Sequence, residues 1–261
     1  MQNFDFINEV NGIVQNANDE TLTNHFDSWK KNNWYNTECP DIYAGDFEFS
    51  NGPVKLETNY IEPVNRKNNK DNLSPYVHPN YKTIVIILES PHDNEYSDPG
   101  FINPALGATG RNLNSSIISL ITNVQKNDNI LSAGKYRIIL MESIQYQCSL
   151  GLDLREEQNK VIRDKVFEKI WNSNSSIKND FVARLESYTP DVIFNLSTKN
   201  VQGLVQKGVD FYCKKINKQI EVYQGYHPSS WKKYDNCRRT YITTEFQKIW
   251  KPNKKLNPII F

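Results

Sequence analysis

Residues 84–92 read Ile84-Val85-Ile86-Ile87-Leu88-Glu89-Ser90-Pro91-His92. Apolar residues, mostly β-branched, run without alternation and end in an acid, a small polar residue, a proline and a histidine. An uninterrupted apolar run predicts a strand buried on both faces, hence a central strand of a parallel sheet. Pro91 cannot continue such a strand, so the chain turns there. Glu89, Ser90, His92, Asp93 and Glu95 then fall at the C-terminal edge of the sheet, where open α/β folds place their ligands.

Three more apolar runs repeat the pattern at residues 136–141, 191–196 and 219–223. Each leads into polar residues: Glu142-Ser143, then Asn195-Leu196-Ser197-Thr198, then Tyr226-His227-Pro228-Ser229. Helical spacing of apolar residues predicts helices over 112–124, 155–171, 178–188, 200–206 and 236–250, the last stopped by Pro252. Strands alternating with helices give an α/β fold: a three-layer α/β/α sandwich around a four-stranded parallel sheet. Residues 80–261 form this domain.

Residues 1–79 read as an N-terminal helical and loop extension packed on it. Phe4, Ile7, Val10, Ile13 and Val14, then Leu22, Phe26 and Trp29, mark two amphipathic helices. Prolines then punctuate residues 36–80, leaving loop or weak strand at 46–49 and 54–57.

Composition limits the partners. Thirty-one Lys and Arg against thirty Asp and Glu give a net charge of +1. An anionic partner must therefore be met by local clusters. No apolar run approaches the roughly 20 residues that span a bilayer, and Met1 to Val10 lacks the plan of a secretory signal. Cys39, Cys148, Cys213 and Cys237 are scattered, which suits a reduced, cytoplasmic setting. A monomer without membrane contact is expected.

An acid after the first strand and a histidine after the last can flank one small substrate. In this order the motifs resemble the uracil-DNA glycosylase superfamily. Leu88-Glu89-Ser90-Pro91-His92 is similar to its first motif, of the Gly-x-x-Pro type, with Leu88 in place of the glycine. His227-Pro228-Ser229-Ser230 is similar to its late His-Pro-Ser motif. The segment from Pro104 through Ala105 and Gly107 to Gly110-Arg111-Asn112-Leu113 resembles the Pro-Phe-Val-Gly segment of the bacterial thermostable branch. Phe194-Asn195-Leu196-Ser197 resembles that branch's third-strand segment, and Arg238-Arg239-Thr240-Tyr241 its closing helix. The resemblance covers residues 82–250.

The resemblance implies a monofunctional DNA glycosylase acting on a flipped-out base. Breaking an N-glycosidic bond develops positive charge on the sugar and negative charge on the departing base. His227 is the candidate donor at the base. Glu89 is the candidate anion near the sugar that also holds water, with Asp93 and Glu142 as alternatives. Ser90, Pro91, His92, Ala105, Glu142, Ser143, Gln145 and Asn195 are the candidate substrate contacts. DNA would be met by Ser197, Thr198, Lys199, Ser229, Ser230, Trp231, Lys232, Lys233, Arg238 and Arg239. Trp231 fits a wedge that fills the vacated stack, or a core aromatic. Ser197-Thr198-Lys199 fits a phosphate seat at a helix start, or a plain N-cap.

Two departures bear on the substrate. Ala105 stands where the branch has a stacking Phe, and the second strand ends in Glu142 rather than in the asparagine that reads uracil. A wider pocket is expected, suited to a modified pyrimidine of bacteriophage DNA and to antiviral defence. The alternatives are uracil excision in base-excision repair, or a non-catalytic nucleic-acid or nucleotide-binding protein. Tyr96, Phe101 or Tyr146 could supply the stack instead. The branch carries an iron–sulfur cluster; Cys148 lies near one ligand position, but the paired N-terminal cysteines are absent. No cluster, metal or cofactor is expected.

Overall fold

The structure is a computed structural model describing residues 5–17, 20–31, 37–50, 80–96, 102–128, 131–173, 175–216, 220–234 and 247–248. Its helices are α1 (Phe6–Ala17), α2 (Glu20–Trp29), α3 (Ala108–Asp128), α4 (Glu157–Ser173), α5 (Ser175–Tyr188) and α6 (Lys199–Ile216). Its strands are β1 (Ile42–Phe49), β2 (Tyr81–Leu88), β3 (Gly134–Glu142), β4 (Val192–Asn195), β5 (Glu221–Gln224) and β6 (Gln247–Lys248). They form one mixed sheet in the order β1-β3-β2-β4-β5-β6.

The pairs β3–β2, β2–β4 and β4–β5 are parallel, while β1 and β6 run antiparallel along the outer edges. The sheet is therefore six-stranded where four strands were expected. The added strands are both at edges, where one-sided pairing tolerates a polar sequence. β6 falls inside residues 236–250, expected to be helical: Lys248 pairs with Tyr223 and Gln247 with Gln224. The rest of that stretch lies outside the described residues.

β1 is built around a bulge. Tyr43 pairs with Ile139 and Gly45 with Ile138, so Ala44 is the extra residue. Gly45 sits at φ 133°, a conformation glycine accepts without a Cβ clash. The bulge shifts the side-chain alternation by one. Ile42 before it, Ala44 in it, and Phe47 and Phe49 after it thus reach the same core.

The sheet separates two apolar layers. Ile84, Ile86 and Leu88 of β2 face α3 through Leu113, Ile117, Leu120 and Ile121. Val85 and Ile87 face the other way, into a core shared with α4, α5 and α6. Phe6, Val10 and Val14 of α1, and Phe26 and Trp29 of α2, belong to that second core. The Phe6 ring stacks on Tyr146 at a centroid distance of 5.0 Å. The N-terminal segment thus supplies both core helices and an edge strand to the sheet.

The connections place the site. From β2 the chain crosses through α3 to β3 on one side. From β4 it crosses through α6 to β5 on the other. The loops leaving the C-terminal ends of β2 and β4 therefore diverge, and open α/β sheets hold their ligands in the crevice formed there.

Candidate active site

Glu89, the first residue after β2, lies in that crevice. Its Oε1 is 2.8 Å from Nη1 of Arg163 on α4, and its Oε2 accepts the backbone N–H of Thr198 at 3.2 Å. Thr198 is the N-cap of α6, since its carbonyl accepts the N–H groups of Val201 and Gln202. Glu89 is therefore seated at a helix N-terminus, where the helix dipole favours negative charge. Burial raises its pKa, opposed first by the Arg163 charge and then by Thr198. Arg163 is fixed in turn by Asp164, at 2.6 Å from Nη2.

His227 follows β5 in a turn closed by Ser230, whose N–H and Oγ–H both donate to the His227 carbonyl. The Ser229 N–H donates to Nδ1 of His227 at 3.3 Å, and Ser229 Oγ lies 2.8 Å from the same nitrogen. A backbone N–H can only donate, so Nδ1 is an acceptor and the neutral ring carries its proton on Nε2. Burial, then the nearby Arg163 and His92, push the His227 pKa down to about 3. The ring is thus an uncharged Nε2–H donor at neutral pH. The effect of Arg163 on both Glu89 and His227 ties the two candidates to one electrostatic environment.

Two side chains hold the histidine turn from opposite sides. Asn112 of α3 donates from Nδ2 to the Pro228 carbonyl at 2.7 Å. Gln202 of α6 donates to the Gly225 carbonyl at 2.7 Å, and also to the carbonyls of Asn195 and Ser197.

The loop after Glu89 is organised by another acid. Glu95 accepts the His92 N–H at Oε2, 2.7 Å, and the Leu106 N–H at Oε1, 2.9 Å. It thereby joins the 3-10 turn Asp93–Tyr96 to the loop before α3. Burial raises its pKa to about 7. His92 is half-buried, its Nδ1 has no hydrogen-bond partner, and burial lowers its pKa.

Several expected contacts are structural instead. Asn195 is fully buried, its amide donating to Gln202 and Gln206 and its oxygen accepting from Ser197, so it has no edge left for a base. Ser143 donates to the Leu88 carbonyl and Gln145 to the Cys39 carbonyl. Ser197 is buried and the Thr198 amide is taken by Glu89, so the start of α6 is a cap for Glu89 and not an open phosphate seat. Trp231 is buried in the α3-face core and donates to the Tyr226 carbonyl. It is a core aromatic and not a wedge.

Ala105 also belongs to the α3-face core, at φ 60°. A pocket widened at Ala105 is therefore not what the packing gives. Its carbonyl lies where a Cβ on Gly110 would stand, 1.8 Å away, so α3 can start there only with glycine. Ser90 is partly buried, Pro91 is buried, and Ser229 and Lys199 are exposed. Tyr96 is buried and bonds to the carbonyls of Thr37 and Gln145, so it is not presented as a stacking ring. Asp93 is exposed and accepts from Gln147. The backbone of Lys232 and Lys233 continues the 3-10 turn Pro228–Tyr234; Phe101, Arg238 and Arg239 lie outside the described residues.

Arg163 was not among the expected site residues, and neither Asn112 nor Glu95, though Glu95 was expected at this edge, was expected to hold a neighbouring loop in place. Arg163 carried a usable signal. It falls on the helical stripe of Asn159, Val166, Phe167, Ile170 and Trp171, all buried, and a charge on an apolar stripe needs a buried partner. Arg184 is a second case. It clamps Asp41 with two bonds at 2.8 and 2.9 Å and reaches the Glu142 carbonyl, fixing the end of β3.

No protein-family profile and no curated protein matches the chain. Among the described residues no helix is long and apolar enough to cross a membrane.

Proposed function

We propose that the chain is a monofunctional DNA glycosylase that hydrolyses the N-glycosidic bond of a base flipped out of its stack. The observation that carries the reading is the pairing at one sheet edge of a clamped Glu89 with His227 as a neutral Nε2–H donor. The C1′–N bond breaks with its electron pair leaving on the base. Positive charge grows on the sugar, and water adds at C1′ while its proton is released. His227 stabilises the departing base by donation from Nε2, without needing to ionise. Both oxygens of Glu89 are engaged, which suits a fixed negative charge facing the sugar better than a general base. Extrusion of the base is required, because the bond is out of reach inside a duplex.

The test is mass spectrometry of bases released from DNAs containing uracil, 5-hydroxymethylcytosine or its glucosylated form. Release by wild type, reduced about 10²–10³-fold in His227→Ala and abolished in Glu89→Ala, supports the reading. Release confined to the bulky bases supports defence against modified bacteriophage DNA; release of uracil supports base-excision repair. DNA binding with no base released from any of them would favour a non-catalytic binding protein.

A further inference from the structure

Helix α6 leaves the candidate site at its N-cap Thr198, whose amide holds Glu89, and leads back along the sheet to the start of β5. Its outer face carries Lys199, Gly203, Lys207, Phe211 and Lys215, all exposed and each four residues from the next. Residues at that spacing form a ridge that crosses a helix face obliquely, here over about 24 Å. Phe211 is 36% exposed, whereas Val205, Val209 and Tyr212 of the same helix are buried. Gly203 sits in mid-helix, yet a Cβ there would meet nothing within 4 Å, so packing does not call for glycine. Glycine weakens a helix interior, and close approach of a backbone to a ligand is one use that offsets this cost.

The ridge is positively charged. α6 holds four lysines and one acid, Asp210. Asp210 accepts from Gln206 at 2.8 Å and lies in the field of Lys214. Lys199 and Lys207 have no ion-pair partner among the described residues. Lys215 meets Glu186 at 2.5 Å, but the two side chains are 53% and 34% exposed. A surface pair of that kind is weak, so a phosphate can replace the carboxylate. Asp164, which accepts from Asn200 in the first turn, is already paired with Arg163. The complement of the ridge is therefore an anion. A lipid surface fits poorly, because a helix lying on a membrane needs a broad apolar face, and Leu204 packs against the core. Lysines in a row with an aromatic ring among them match a single-stranded nucleic acid, with phosphates on the cations and a base on the ring. Paired bases stack on one another, so a duplex offers no base to Phe211.

We propose that the outer ridge of α6 is a track for single-stranded DNA leading into the crevice. Lys199, Lys207 and Lys215 hold phosphates, Phe211 stacks on a base, and the sugar–phosphate chain passes close to the helix at Gly203. This rests on the glycosylase reading for the nature of the ligand alone, and deepens it by setting the form of the substrate. The target base arrives unpaired, so the cost of opening a duplex does not fall on the enzyme. That agrees with Trp231, which is spent in the core and does not serve as a wedge.

The test is the affinity of the full chain for a labelled oligodeoxythymidylate, a duplex of equal length and phosphatidylserine vesicles, each at several salt concentrations. Thermal unfolding checks that every variant is folded. Wild type is expected to bind the single strand more tightly than the duplex. Lys207→Gln/Lys215→Gln should flatten the log–log salt dependence for the single strand by about 1.4, at about 0.7 for each phosphate contact removed. Phe211→Leu should weaken binding about 5–150-fold with the salt dependence unchanged, and Gly203→Gln should weaken it in a helix that is no less stable. An unchanged slope in the lysine variant overturns the proposal, as does wild-type affinity in Phe211→Leu or Gly203→Gln. Tighter binding of the duplex, or binding of the vesicles in place of the oligonucleotide, overturns it as well. Base release from single strands containing uracil or 5-hydroxymethylcytosine separates the two readings. Release that the ridge substitutions leave unaltered at subsaturating protein overturns the track and leaves the glycosylase reading standing. Binding with the expected losses but no base released supports the track and overturns the glycosylase reading.

Discussion

Arg163 on α4 meets Glu89 at 2.8 Å, with only 9% of one side chain and 6% of the other exposed. An ion pair this dry contributes little net stability by existing, but removing one partner strands the other. Arg163→Met is expected to destabilise the fold by about 3–5 kcal/mol through the uncompensated Glu89 carboxyl. Adding Glu89→Leu in the same chain should recover much of that loss. Urea unfolding of the two single variants and the double variant checks it; additive costs would show that the residues do not act as a pair.

His227 predicts an unusual pH response. Its pKa is lowered from 6.5 to about 3, so the folded chain leaves it neutral where the unfolded chain binds a proton. Stability contributed at this position is therefore full above about pH 6.5 and is lost as pH falls toward 3. His227→Gln should flatten the stability curve in that window. Base release by wild type should show no inflection of an ordinary histidine near pH 6.5, which a rate profile between pH 5 and 8 would reveal.

Glu95 acts in the opposite direction. Its pKa is raised from 4.5 to about 7, so between those values the folded chain holds a proton that the unfolded chain has released. Its contribution to stability accordingly falls as pH rises from about 4.5 to 7. The melting temperature of wild type relative to Glu95→Gln, followed across that range, should fall as pH rises. A constant offset would mean that Glu95 does not titrate there.

Asn112 is a positioning residue, acting through the Pro228 carbonyl 2.7 Å from its amide. Asn112→Leu keeps a similar volume and leaves that buried carbonyl unpaired, at a cost of about 1–3 kcal/mol. Base release should fall while its pH profile keeps the wild-type shape, because the histidine moves without changing its chemistry. An unchanged rate in a folded variant would exclude the role.

Two glycines make a matched pair. A Cβ on Gly110 would stand 1.8 Å from the Ala105 carbonyl oxygen, while one on Gly203 in α6 meets nothing within 4 Å. Gly110→Ala should destabilise by at least about 1–3 kcal/mol, because backbone must shift. Gly203→Ala should stabilise by about 0.5–1 kcal/mol, through helix propensity alone. Thermal unfolding of the two variants separates these signs.

The apolar runs at 84–88, 136–141, 191–196 and 219–223 announced the parallel centre of the sheet, because burial on both faces removes polar positions from the sequence. The edges were harder to read. β1 carries Asp46 and Glu48 between its core residues and is interrupted by a bulge. The two residues of β6 are strand because β5 offers them a partner, which no local pattern records. At the site, Glu89 and His227 could be found from their place after strands. Their supports were harder: the apolar stripe around Arg163 announces a buried partner without saying which, and Arg163 and Asn112 are joined to them by packing of elements distant in sequence. Asn195 and Trp231 show the reverse: polar or aromatic residues beside a motif that the fold uses for its own hydrogen bonds and core.

The pairing of β1 with β3 matters for how the chain assembles. Ile42 meets Leu140, roughly a hundred residues later, so this edge closes a long loop. Loop closure of that kind delays folding without adding much to final stability. Until β1 docks, the outer rim of β3 is an open row of amides and carbonyls on a strongly apolar strand, a template for joining other chains. Folding intermediates are thus expected to self-associate through β3. Dilution during refolding would raise the recovery of folded protein.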